Sequence, residues 1–194
     1  DTRILNGDPD TEVRRALGLP ARFWLTVGIF KPHKNYPWLL RALEELWESG
    51  AFRGAGLVMA GTRRPRALRR LIESDPRLRG RVWLLGELST ETLRALYWSA
   101  EALIFPSLAE GFGLPVVEAM ACGAPVICSR RPPMTEIARG AAGFFEPDSP
   151  GELFRRLREV TPDSPAGAEP PPPRPERETP SGEAAARQAA GLAA

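Results

Sequence analysis

Two short stretches carry residues whose types and spacing suit work on an anionic, hydroxyl-rich ligand. The first is GIFKPHKN, residues 28–35, which holds the only two lysines of the chain, Lys31 and Lys34, and its only histidine, His33. The other 24 of the 26 basic residues are arginine. A lysine is a compact point charge on a flexible stem, able to meet a phosphate oxygen without the planar fork that arginine presents. Gly28, Lys31, Lys34 and Asn35, followed by a helical stretch, make a turn in which backbone amides and a helix dipole both favour negative charge. Two readings stay open on this stretch alone: an anion site, or a solvated turn in a chain whose arginine bias is merely compositional.

The second stretch is PSLAEGFGLPVVEAMACGAPV, residues 106–126. Gly111 and Gly113 let a ligand approach the backbone, and Leu114 and Pro115 open a helix with proline in its first turn. Glu110 stands just outside that helix and Glu118 about one turn inside it. Amides between two carboxylates suit a ligand that is anionic in its middle and rich in hydroxyls at both ends, such as a sugar nucleotide. A tight strand-to-helix turn, with Glu110 offsetting the dipole, is the alternative. A buried Glu118 needs partners in either case.

The elements that must position these groups are legible in the hydropathy pattern. FWLTV, GLVMAG, VWLLG, ALIFP, PVICS and GFF are short runs, apolar throughout, as expected of strands buried on both faces of a parallel sheet. Between them NYPWLLRALEELWES places Leu39, Leu40, Leu43, Leu46 and Trp47 on one helical stripe, with Asn35 expected as its N-cap and Pro37 in the first turn. STETLRALYWSA and PGELFRRLREV read the same way. About six β/α repeats predict a Rossmann-like, doubly wound α/β fold of about six parallel strands, with ligands beyond the carboxyl ends of the strands. Both chemical stretches directly follow a strand.

Composition narrows the partners. The formal charge of +2 offers no global attraction to nucleic acid or to an anionic membrane. Eight arginines lie between Arg63 and Arg81, but without interleaved aromatics. Arg69 and Arg70 lie opposite Leu68, Leu71 and Ile72, which favours a solvated helix face and leaves peripheral membrane contact open. Arg130 and Arg131 are read as a solvated pair more readily than as ligands of an anion, and His33 as incidental. Cys122 and Cys128 are expected to be reduced thiols in a cytoplasmic setting. The segment 161–194 has one large aliphatic residue, Leu192, and a polyproline run. It reads as a disordered Pro/Ala-rich tail carrying a nascent alanine-rich helix, appended to a domain spanning 1–160. No Gly-x-Gly-x-x-Gly or Gly-x4-Gly-Lys-Ser/Thr pattern is present, which disfavours a nicotinamide or flavin enzyme and a P-loop kinase.

EGFGLPVVE resembles the Glu-x7-Glu motif of retaining GT-B glycosyltransferases of group 1 (family 4). VGIFKPHKN resembles the first-strand phosphate loop of that family, and LLGELSTETLRALYWSAEALIFPS its next signature. EAMACGAPVICS and TEIARGAAGFFEPDSPGEL follow in the same order, so the resemblance runs from Thr2 to Val160. It implies the C-terminal, donor-binding half of a GT-B enzyme, catalysing metal-independent transfer from a nucleoside diphosphate sugar with retention and no cofactor. Lys34 is implied to contact the diphosphate, with Gly28 permitting close approach. Glu110 is implied to meet hydroxyls of the transferred sugar beside the amides of Gly111, Phe112, Gly113 and Leu114. Glu118 would hold the ribose, while backbone at Leu85 and Gly86 faces the base with Gly61 nearby. Many relatives carry arginine where this chain has Ile29, so Lys31 is expected to supply the second charge. Set against that family pattern, the chain is expected to lack the acceptor-binding domain and the closing helices. That leaves a donor-binding half, or alternatively an inactive module or subunit needing a separate acceptor-binding partner.

Overall fold

A computed structural model describes residues 9–62 and 66–161. Six strands form one parallel sheet: β1 (Arg22–Val27), β2 (Ala55–Ala60), β3 (Val82–Leu85), β4 (Ala102–Phe105), β5 (Val126–Ser129) and β6 (Ala142–Phe145). All six apolar runs are strands. They are four to six residues long; β1, β2, β4 and β5 are buried along nearly their whole length, which is why they show no polar alternation, while β3 and β6 are only partly buried. The helices are α1 (Pro9–Ala16), α2 (Tyr36–Glu48), α3 (Arg66–Ser74), α4 (Thr90–Ser99), α5 (Leu114–Ala121), α6 (Met134–Ile137) and α7 (Pro150–Val160).

Strand order is β3-β2-β1-β4-β5-β6, the doubly wound arrangement. The order reverses between β1 and β4, which pair through Trp24 with Ala102 and Leu25 with Leu103. Above that reversal the two following loops must diverge to opposite faces, and the gap they leave is where such sheets bind ligands.

Strand side chains alternate between two cores. One face packs Trp24, Leu57, Met59, Ile104 and Ile127 against α2, α3 and α7 through Leu39, Leu43, Ile72, Leu153 and Leu157. The other packs Phe23, Leu25, Val58, Leu103, Phe105 and Val126 against α4, α5 and α6 through Leu96, Val116, Ala119 and Met134. Val13, next to the end of α1, and the following Leu17 and Leu19 lie against the second core.

Thr161 departs from the boundary expected at 160. It is fully buried, and its Oγ1 accepts a hydrogen bond from the Trp24 indole at 3.1 Å, so it closes the core instead of opening a tail. Trp24 needs that acceptor because its ring is sealed between Trp47, stacked at 6.3 Å, and Phe52, edge-on at 5.4 Å. The rest of the expected tail, 162–194, lies outside the described residues.

Asn35 is the expected N-cap of α2, with an unexpected geometry. It occupies the cap position of α2 with φ 57°, in the left-handed region, and its side chain caps nothing. Its Nδ2 instead donates to the Pro147 carbonyl at 3.3 Å, tying the β1–α2 turn to the loop after β6. Asparagine tolerates this backbone better than most residues do, and a 3-10 turn at Pro32–Lys34 immediately before it requires the reversal.

Candidate active site

Lys34 ends the 3-10 turn that follows β1, and Glu110 lies in the loop that follows β4. The sheet therefore delivers them to the same crevice from neighbouring strands. The Lys34 Nζ donates to Glu110 Oε1 at 2.6 Å, with 9% and 11% of the two side chains exposed. The ammonium also lies over the Phe105 ring, 4.7 Å from its centroid. A lysine this buried needs compensation for lost hydration, and the carboxylate and the ring face both supply it.

Gly28 is the floor of this arrangement. A Cβ there would stand 3.1 Å from the Lys34 Nζ and 3.2 Å from the Tyr36 hydroxyl, so the absent side chain is what admits the ammonium. The Gly28 amide donates to Ala60 at 3.0 Å, and the Gly61 amide to Gly86 at 3.2 Å. Gly28, Gly61 and Gly86 thus stand side by side at the carboxyl ends of β1, β2 and β3, beside Leu85. A further backbone bond, from the Leu108 amide to the His33 carbonyl at 2.7 Å, clips the two loops together. His33 is used for its backbone here.

At the start of α5, Gly113 adopts the left-handed conformation, φ 76°, and turns the chain into the helix. No protein acceptor takes the amides of Gly111, Phe112, Gly113 or Leu114 among the described residues. Four adjacent donors beside Glu110 and ahead of a helix dipole have the chemistry to receive an anion. Glu118 is exposed, and its Oε2 accepts a hydrogen bond from the Tyr97 hydroxyl of α4 at 2.8 Å. The other oxygen keeps its accepting capacity.

Sequence reasoning missed the partners of the two charged residues. The chain has two tyrosines, and both serve this site: Tyr36 beside Gly28, Tyr97 on Glu118. Burial first, then the Glu118 charge, pushes the Tyr97 hydroxyl well above its ordinary value. Burial likewise raises Tyr36, with the Thr26 hydroxyl opposing and the Glu110 charge adding. Both remain protonated donors at neutral pH. The available signal was a tyrosine on an otherwise apolar helix stripe, a residue that needs a polar partner when buried.

Other expected residues sit apart from the ion pair. Lys31 is exposed and makes no ion pair among the described residues. Arg130 and Arg131 both pair with Glu146, at 3.0 and 2.9 Å, which accounts for them without a ligand. In the basic stretch Arg77 engages Glu44, Glu48 and Asp75, Arg79 donates to the Glu73 carbonyl, and Arg81 lies over Trp47. Arg66, Arg69 and Arg70 are on the exposed side of α3. Residues 63–65 lie outside the described residues.

The pattern of the family described as "Glycosyl transferases group 1" matches residues 21–163. The chain belongs to that family. As a group 1 glycosyltransferase chain it is 33% identical over 136 residues to the serotype-specific mannosyltransferase WbdA of Escherichia coli, covering 70% of this chain and 17% of that protein. It is 36% identical over 126 residues to O-antigen chain mannosyltransferase B of Escherichia coli, covering 64% of this chain and 32% of the relative. Among solved structures, sucrose-phosphate synthase from Thermosynechococcus elongatus superposes with a TM-score of 0.64 at 27% identity, covering 77% of this chain and 39% of that one. The chain therefore spans a third or less of the length of these two mannosyltransferases. The GT-B, Rossmann-like architecture expected from the motifs is the one observed.

Proposed function

We propose that this chain is the donor-binding domain of a retaining glycosyltransferase that uses a nucleoside diphosphate sugar, with mannose as the transferred sugar. The observation that carries the reading is the Lys34–Glu110 contact at the strand reversal, flanked by four unengaged amides and, at α5, by Glu118. The mannose assignment draws on the two Escherichia coli relatives, both of which are mannosyltransferases.

In this reading Lys34 and the amides of residues 111–114 meet the diphosphate. Charge develops on that group as the glycosidic bond to it breaks, so donors already fixed in place lower the barrier without reorganising. Glu110 accepts hydrogen bonds from hydroxyls of the sugar, and Glu118, steadied by Tyr97, accepts from the ribose. Backbone at Leu85 and Gly86 borders the base. Lys31 adds a longer-range charge where Ile29 supplies none. The two free thiols suit a reducing, cytoplasmic setting.

The acceptor is expected to come from a second domain, in cis or in trans. Ile29, Leu108, Phe112 and Leu114 are exposed at 42%, 46%, 52% and 59%, the first three on the two loops that carry the site and Leu114 at the start of α5. A closing domain would cover them and exclude water from the reaction.

Calorimetric titration with UDP, GDP and ADP tests the proposal. One of the three should bind, Glu118→Ala should abolish most of that binding, and Lys31→Ala should weaken it and flatten its salt dependence. Indifference to all three nucleotides overturns the reading. Turnover of the matching mannosyl donor on adding an acceptor-binding domain would separate an enzyme half from a binding module.

A further inference from the structure

We infer that the Lys34–Glu110 ion pair is a ligand-exchange latch that selects for a sugar-bearing diphosphate over the bare diphosphate. This inference rests on the donor-site reading above and adds a specificity mechanism to it.

The two groups satisfy each other at 2.6 Å, and little of either side chain is open to water. An anion that reaches the Lys34 ammonium brings negative charge next to the Glu110 carboxylate. It must also share or replace the hydrogen bond between them. The repulsion is large in so shielded a place, because burial lowers the local dielectric. A fully ionised phosphate has no hydrogen-bond donor to offer Glu110 in return. A sugar hydroxyl does. A diphosphate that carries a sugar therefore re-pairs both partners, whereas a bare diphosphate satisfies Lys34 and strands Glu110, and stranding one member of a shielded pair is costly.

The surroundings keep the exchange local. Gly28 leaves room for the ammonium to shift, since the absent Cβ would have stood 3.1 Å from it. Phe105 retains the cation from beneath at 4.7 Å, so Lys34 stays in place when Glu110 lets go. The Leu108–His33 backbone bond holds the two loops in register while the side chains re-pair. One consequence is directional. Donor binds with both groups satisfied, and the nucleoside diphosphate left after transfer is held less firmly, which favours its release.

The test is calorimetry on the full chain and on Glu110→Gln, which keeps the shape and removes the charge. Probes are inorganic pyrophosphate, UDP, GDP and ADP, together with GDP-mannose and UDP-glucose. Glu110→Gln should bind pyrophosphate and the preferred nucleoside diphosphate about tenfold more tightly, roughly one decade of affinity for a lost charge–charge opposition. The ratio of donor to diphosphate affinity should fall. In Lys34→Met/Glu110→Gln the tightening should vanish, because it acts through Lys34. Equal or weaker pyrophosphate binding by Glu110→Gln, or tightening that survives in the double variant, overturns the latch while leaving the donor site standing. Failure of every probe to bind the unaltered chain overturns the donor site and the latch with it. A measurement needing no variant guards against misfolding: the carboxyl carbon resonance of Glu110 should move when pyrophosphate binds. A stationary resonance under saturating pyrophosphate overturns the exchange.

Discussion

A Cβ on Gly61 would run into the carbonyl oxygen of Gly28. The ends of β1 and β2 are thus packed backbone to backbone beneath the site, and the φ of Gly61, 148°, is one that other residues rarely adopt.

This contact separates two glycine substitutions. Gly61→Ala meets backbone that cannot give way and should destabilise the fold by about 2 kcal/mol or more. Gly28→Ala meets the far end of Lys34, which can swing aside, although its φ of 151° also carries strain. It should cost less stability, about 1 kcal/mol, and proportionally more nucleotide affinity. Thermal unfolding followed by circular dichroism, paired with calorimetry, checks the two; equal losses in both measurements would contradict the distinction.

Tyr97→Phe removes the hydroxyl that steadies Glu118. Because Glu118 is exposed, water replaces the lost bond, and stability should change by less than about 1 kcal/mol. Affinity for the nucleoside diphosphate should fall about threefold to tenfold, the worth of an ordinary net hydrogen bond, since water partly replaces it on the exposed Glu118. In a Glu118→Ala background the same change should have no effect, since Tyr97 acts through Glu118.

Thr161→Val leaves the shape and removes the one acceptor that the Trp24 indole has among the described residues. Both residues are fully buried, so an unsatisfied donor remains in the core at a cost of about 1–3 kcal/mol. The expected result is a lower denaturant midpoint with an unchanged slope, read by tryptophan fluorescence. A chain truncated after Val160 should lose at least as much.

Thiol chemistry offers a pH test. Burial pushes Cys128 up to about 12, and burial, with Arg94 opposing, raises Cys122 as well. A raised pKa means less thiolate at any given pH, and the thiolate is the reactive species. At pH 8 Cys122, which is only half-buried, should react with a thiol reagent more slowly than free cysteine. Cys128 should react only after unfolding. Two fast thiols in the native chain would contradict this.

The sheet was legible because each buried strand is a short, wholly apolar run between breakers, and a strand covered on both faces has nowhere to place a polar residue. The helix stripe through Leu39, Leu43 and Trp47 was legible for the same reason. Asn35 was legible as the N-cap of α2, but its left-handed backbone and non-capping side chain were not, because a 3-10 turn and a helix meeting at one residue cannot be told from a simple helix start in one dimension. Thr161 was placed outside the domain because a single threonine among prolines and acidic residues carries no sign of the Trp24 indole that it satisfies from 137 positions away.

Residue type and local spacing were enough to mark Lys34, Glu110 and Glu118 and to place the first two just beyond strands and Glu118 in the helix that follows, since loops after parallel strands share one rim of the sheet. That Lys34 and Glu110 hold each other, that Phe105 underlies the ammonium, and that Tyr97 steadies Glu118 were decided by tertiary structure alone. Those contacts join residues 21 to 76 positions apart in sequence, and only the order in which the strands pair determines which loops become neighbours.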